Sequence, residues 1–213
     1  IVARMMGADV ITVPAKNFGH DLKAMREAIN DQTRILFVAN PNNPTGTLAS
    51  RAEVVDLINH MPEDCVLVMD EAYFEFLADP VDLLPMIREE RMQNLVIMRT
   101  FSKIYGLAGL RIGYGIGCPE LISLLEKPRQ PFNINAMAQA GALAALDDLD
   151  HLNATRKTNA DGLRFLEQEL QALGLEFVPS SANFILTRVG DGPGVFKAMQ
   201  KNGVIVRPMQ GYG

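Results

Sequence analysis

The sequence predicts an α/β fold: a large unit built on a mainly parallel sheet, then a small α+β unit. Three observations carry this expectation. Short apolar runs recur along the first part of the 213 residues and alternate with stretches of helical spacing, the pattern of parallel strands joined by crossover helices. The runs Ile35-Leu36-Phe37-Val38, Val66-Leu67-Val68-Met69 and Leu95-Val96-Ile97-Met98 show no polar alternation, as in strands buried on both faces. Polar clusters follow these runs, at Asn40, Asp70 and Lys103. Catalytic groups of open α/β sheets gather at that carboxyl end.

The first residues read as a helix leading into a strand over 8–13, which stops at Pro14. Leu22, Met25, Ala28 and Ile29 share one helical face, so a helix is expected over 21–29 with Asp21 as its N-cap. A strand over 34–39 follows. Ser50 and Glu53 have capping-box spacing ahead of Val54, Val55 and Ile58, predicting a helix over 50–59. Further strands are expected over 65–69, 95–100 and 112–116. The Ala-rich stretch 136–146 reads as a helix. A long amphipathic helix follows over 149–173, with Leu152, Leu163, Leu166, Leu170 and Leu173 as core positions and Gly174 as its stop. Strands at 176–178, 183–186 and 204–206 and a helix over 194–202 complete the pattern. A boundary near Asp148 divides residues 1–147, a large domain, from 148–213, a small one entered by the long helix. The chain opens at Ile1 without methionine and closes on Gly211-Tyr212-Gly213, so both domains are expected to be partial.

Composition narrows the function classes. A net charge of −5 argues against nucleic acid as a main partner. No apolar run approaches the roughly 20 residues that span a bilayer, and no signal peptide is visible. Cys65 and Cys118 sit among apolar residues and read as buried, unpaired thiols in a reducing compartment. His20, His60 and His151 are scattered without metal-ligand spacing, so no metal site is expected. Gly113, Gly115 and Gly117 partly mimic a dinucleotide fingerprint, but their spacing is wrong and they lie inside an expected strand.

The chemistry concentrates in three segments. Thr100-Phe101-Ser102-Lys103, with Arg111 eight residues after the lysine, sets two hydroxyls, an amine and a guanidinium close together. That set suits a phosphorylated aldehyde: the amine can form a Schiff base while the hydroxyls and guanidinium hold the phosphate. Asn40-Pro41-Asn42-Asn43-Pro44-Thr45-Gly46 follows one apolar run, and Asp70-Glu71-Ala72-Tyr73 follows the next. Taken singly, each has an ordinary reading as a turn, a helix cap or a surface lysine.

In this order the segments resemble the class I/II (fold-type I) aminotransferases, which use pyridoxal 5'-phosphate. The resemblance covers essentially the whole chain. It implies that Lys103 bonds the cofactor aldehyde and moves the reacting proton. Asp70 then keeps the pyridine nitrogen protonated, and Asn43 and Tyr73 donate to the phenolic oxygen. Thr100, Ser102 and Arg111 hold the phosphate. Glu71 has no role in the pattern. Within the family the wording is most similar to the histidinol-phosphate aminotransferases, including Ser181-Ala182-Asn183-Phe184 and Gly203-Val204-Ile205-Val206-Arg207. That likeness implies transamination between L-histidinol phosphate and 2-oxoglutarate, with Asn43 and Arg207 at the substrate, in a cytoplasmic homodimer. Aromatic amino-acid aminotransferases and threonine-phosphate decarboxylases share the lysine, aspartate and tyrosine and stay open as alternatives, as does a non-catalytic structural fragment. A glycine-containing phosphate loop, a ring-stacking aromatic residue, a tyrosine reaching the neighbouring subunit and a C-terminal carboxylate-binding arginine cannot be located. Weak cofactor binding is therefore expected of these residues alone.

Overall fold

The three apolar runs form the centre of the computed structural model, which describes residues 2–210. Strands β1 (Ile35–Ala39), β2 (Val66–Asp70), β3 (Leu95–Thr100) and β4 (Gly113–Ile116) make one sheet in that spatial order. β1, β2 and β3 run parallel, and β4 returns antiparallel to β3. Helix α1 (Val2–Met5) and helix α2 (Leu22–Glu27) precede β1, α3 (Arg51–Asn59) joins β1 to β2, and α4 (Leu84–Arg88) lies before β3. After β4 come α5 (Pro119–Glu126), α6 (Ala136–Asp147) and α7 (Leu149–Ala172). A two-stranded antiparallel sheet, β5 (Phe177–Val178) and β6 (Leu186–Thr187), and helix α8 (Gly192–Lys201) follow. Ile1 and the closing Gly211-Tyr212-Gly213 lie outside the described residues.

Strand register assigns the side chains to two faces. Leu36, Val38, Leu67, Met69, Leu95 and Ile97 share one face and pack with Leu22, Val54, Leu57, Ile58, Leu83 and Met92 into a single core. Full burial of side chains of this size contributes about 1.5–3 kcal/mol each, so this face holds the sheet to α2, α3 and the segment around α4. The opposite face is less covered. Ile35 is 52% exposed, Phe37 58% and Met98 38%, whereas β1 was expected to be buried on both faces. Helices α2 and α3 pack on the first face; on the other, Val68 and Val96 are buried while Ile35 and Phe37 at the β1 edge stay exposed.

Two expected strands do not form. Residues 8–13 and 204–206 join no ladder, and Val10, Ile11, Val204 and Ile205 are exposed. A β-branched run becomes a strand only where an edge accepts its hydrogen bonds and its side chains find a surface. The expected core face of α7 is also thinner than its periodicity suggests. Leu166 and Leu173 are exposed, and no residue of the helix is fully buried among the described residues. Its stop is as expected: Gly174 takes a φ of 69°, and Leu175 N–H donates back to Leu170 O at 2.9 Å.

Helix starts follow their caps. Asp21, Asn135 and Asp148 accept from the backbone N–H three residues on, at 3.0, 2.8 and 3.0 Å. At α3 the full capping box is present: Glu53 N–H donates to Ser50 Oγ, and Ser50 N–H donates to Glu53 Oε2 at 2.8 Å. Hydrogen bonds from the Ser50 hydroxyl and backbone hold the Glu53 carboxyl below its ordinary pKa. Because that pKa is depressed, this contribution is present above the ordinary carboxylate range and fades as pH falls. Ser50→Ala should cost about 1 kcal/mol of stability at neutral pH. In urea melts the gap to the native protein should narrow as Glu53 protonates.

Candidate active site

Parallel pairing brings the ends of β1, β2 and β3 to one edge. Ala39 pairs with Asp70, and Asp70 pairs with Met98, two residues before Thr100. Alternation therefore puts Asp70 and Thr100 on the same face of the sheet. Asn40 fixes the edge from below: its N–H donates to Asp70 O at 2.9 Å, and its side-chain oxygen accepts from Ala49 N–H at 2.8 Å. Asn40 is thus structural, buried at 9% exposure.

The loop after β1 turns on itself. Asn42 Nδ2 donates to Thr45 Oγ1 at 2.9 Å, and Gly46 N–H donates to Asn42 O at 2.7 Å. This turn aims Asn43 at the next loop, where its Nδ2 donates to Tyr73 Oη at 2.7 Å. Tyr73 is buried, with its ring edge-on to Phe184 at a centroid separation of 5.3 Å. The Lys103 ammonium lies 5.1 Å from the centre of the Tyr73 ring, within cation–π range. Amide, phenol and amine thus converge from three separate loops. Asp70 Oδ1 accepts from Ala72 N–H at 3.1 Å, which fixes the carboxylate at the strand end.

A second cluster adjoins Lys103 in sequence. Thr100 Oγ1 accepts from Ser102 N–H at 3.1 Å. Arg111 adopts the left-handed conformation, φ 54°, ψ 53°, at a cost on the order of 1–3 kcal/mol for a non-glycine residue. In that conformation its Nη1 donates to Ala108 O at 2.9 Å and to Ser102 Oγ at 3.4 Å. A guanidinium beside hydroxyls is a donor set suited to a phosphate group. Arg207 is exposed and is not bonded to either cluster. The strand expected just before it does not form, so nothing in the described fold aims it at this edge.

Several contacts at the site were not legible from motifs. Ser181 N–H donates to Gly46 O at 2.8 Å, and Asn159 of α7 donates to Ala182 O at 3.1 Å. These bonds seat the 180–184 segment against the loop after β1 and bring Phe184 to Tyr73. Arg99 and Glu71 form a buried ion pair behind the site. The signal available for Arg99 was a charge inside an otherwise apolar strand run. Gly113, of the dinucleotide-like glycine series, has a packing reason instead: a Cβ there would stand 2.8 Å from Arg99 O.

The family described as "Aminotransferase class I and II" matches residues 1–213. The chain is 47% identical to a histidinol-phosphate aminotransferase of Akkermansia muciniphila, over 100% of this chain and 58% of that protein. It is 48% identical to histidinol-phosphate aminotransferase 1 of Nitrosococcus oceani, again over 100% of this chain and 58% of that protein. Among solved structures, the histidinol-phosphate aminotransferase of Sinorhizobium meliloti in complex with pyridoxal-5'-phosphate superposes with a TM-score of 0.88 at 30% identity. The match covers 96% of this chain and 57% of that one. The chain therefore spans less than two thirds of the length of the relatives it matches.

Gly46 tests the joint between the loop after β1 and the 180–184 segment. Its φ is 76°, and a Cβ there would collide with the Ser180 side chain. Gly46→Ala should lose about 1–2 kcal/mol from φ alone and more from the collision, read as a lowered Tm. Gly109, which has open space around it, should tolerate alanine far better.

Proposed function

The chain belongs to the class I and II aminotransferase family, and on that premise we propose that it carries the pyridoxal 5'-phosphate half-site of a histidinol-phosphate aminotransferase. The observation that carries the reading is the convergence of the Lys103 amine, the Tyr73 phenol and the Asn43 amide beside the Asp70 strand end. The donor set fits the group. The Arg111 guanidinium and the hydroxyls of Ser102 and Thr100 match a phosphate, and the neighbouring lysine matches an aldehyde. Bound pyridoxal 5'-phosphate supplies that aldehyde and a ring that accepts electron density from the substrate's α-carbon.

Each residue then has a task. Lys103 would be the amine that holds the aldehyde and the base that moves a proton at the substrate's α-carbon. Asp70 would stand at the ring nitrogen and favour its protonated form. Asn43 and Tyr73, bonded to each other in the structure, would donate to the ring's phenolic oxygen and favour its ionised form. Thr100, Ser102 and Arg111 orient the phosphate. Arg207 is assigned to the anionic substrate by the family likeness alone, since in the described fold it is exposed and bonded to neither cluster. The reaction assigned to the whole protein passes an amino group between L-histidinol phosphate and 2-oxoglutarate, in a cytoplasmic homodimer. Residues 1–147 belong to its large domain and 148–213 to its small one. The substrate choice rests on the 47% and 48% identities to proteins of that name.

Incubation with pyridoxal 5'-phosphate, reduction with borohydride and peptide mapping should place the adduct dominantly on Lys103, with Lys103→Ala abolishing it. Labelling spread evenly over the surface lysines would refute the half-site. Arg111→Ala should lower the yield of the Lys103 adduct at subsaturating cofactor, and full yield would remove Arg111 from the phosphate cluster.

A further inference from the structure

The buried ion pair behind the site has no part in the motifs. Glu71 directly follows Asp70, and Arg99 directly precedes Thr100, so both project to the face opposite these two residues. Arg99 Nε and Nη2 reach Glu71 Oε2 at 2.9 and 2.8 Å. The two side chains are 10% and 4% exposed. Glu71 N–H also donates to Met98 O at 2.9 Å, and Phe74 N–H donates to Glu71 O at 3.0 Å. The Arg99 guanidinium lies 3.6 Å from the centre of the Phe74 ring, the residue after Tyr73. A single pair thus ties together the backbone segments that carry Asp70, Tyr73 and Thr100.

The surroundings are crowded with charge. Glu75 is buried with Oε1 unpartnered, and its backbone oxygen accepts from Arg156 of α7. Asp82, Tyr105 and Tyr114 are further titratable groups near the pair, and Arg51 and Asp79 line the same cavity as Glu71. That cavity, of about 190 Å³, is lined in part by Asn40, Ser50, Glu71 and Phe74.

We propose that Glu71 and Arg99 are positioning residues: their ion pair locks the ends of β2 and β3 so that Asp70, Tyr73 and Thr100 stand ready for the cofactor, and protonation of Glu71 loosens them. The proposal rests on the half-site reading for its consequence at the cofactor, and on the pair's own geometry for the rest. Burial pushes the Glu71 carboxyl up to about 7 against the pull of Arg99. Burial pulls Arg99 down, and Glu71 more than offsets this, so the guanidinium stays charged and the pair titrates on Glu71. The sign for stability is opposite to that for positioning. A carboxyl whose pKa is raised on folding favours the folded state most below its ordinary value, and that contribution is lost as pH rises through 7. The charged pair thus costs stability at the pH where it holds the site in place.

The test needs no cofactor in its first arm. Amide NMR of the free chain between pH 5.5 and 8.5 should show the N–H signals of Ala72 and Ser102 moving together, with a midpoint near 7. In Glu71→Gln that movement should vanish. The second arm measures pyridoxal 5'-phosphate affinity by absorbance. Glu71→Gln should weaken it about tenfold at pH 8.5, and Glu71→Asp should restore part of the loss. If Glu71→Gln does not fold, the paired replacement Glu71→Met with Arg99→Met fills the same space without charge and should show the same loss. Ala72 and Ser102 signals that do not move in the native chain overturn the proposal. So does native affinity in Glu71→Gln or in the double replacement. Lys103 adduct formation separates the two ideas: Lys103 labelled with static amides sinks the pair's role alone, and moving amides without Lys103 labelling sink the half-site alone.

Discussion

The in-register parallel pairing of β1, β2 and β3 is the constraint on which the rest of the structure depends. Because Ala39, Asp70 and Met98 sit side by side, three loops far apart in sequence leave the sheet at one edge. The core beneath, with Val38, Leu67, Leu95 and Ile97 fully buried, holds that register: a slip of one residue would turn every apolar side chain to the other face. The same slip would turn Asp70 and Thr100 away from each other. Fold stability and site geometry are one property here, enforced by the same side chains.

From that edge outward, order depends on polar contacts. Asn40 joins β1 to the end of β2 and to the start of the segment leading into α3. The turn at 42–46 aims Asn43 at Tyr73, and the 180–184 segment closes over both through Gly46 and Phe184. The Glu71–Arg99 pair belongs to the same scheme but lies on the far face. A buried ion pair is weak evidence for stability, since desolvation offsets most of its attraction. Its position directly after Asp70 and before Thr100 gives it a different use, the fixing of two strand ends.

The central strands were legible because an apolar run of four or five residues has few ways to be satisfied other than burial in a sheet. Helix starts were legible where a single side chain decides them, as at Asp21 and Ser50. Motif wording singled out Lys103, Tyr73, Asn43 and Arg111; the strand register brings the first three together, while Arg111 bonds Ser102 in the adjoining cluster. Residues 8–13 and 204–206 have the same β-branched composition as true strands, but no local pattern says whether a partner edge will be present. The leucines of α7 have helical spacing and yet stay partly exposed, because spacing defines a face without supplying a surface for it. Glu71 and Arg99 escaped because a buried ion pair joins residues 28 apart, and neither neighbourhood reveals the other.

The joint action of the three loops can be measured directly by hydrogen–deuterium exchange with and without pyridoxal 5'-phosphate. Protection should rise together in residues 40–47, 70–74 and 100–111, and little elsewhere. Protection confined to one of these segments, or arising only at distant sites, would contradict the assembly of a single site from one sheet edge.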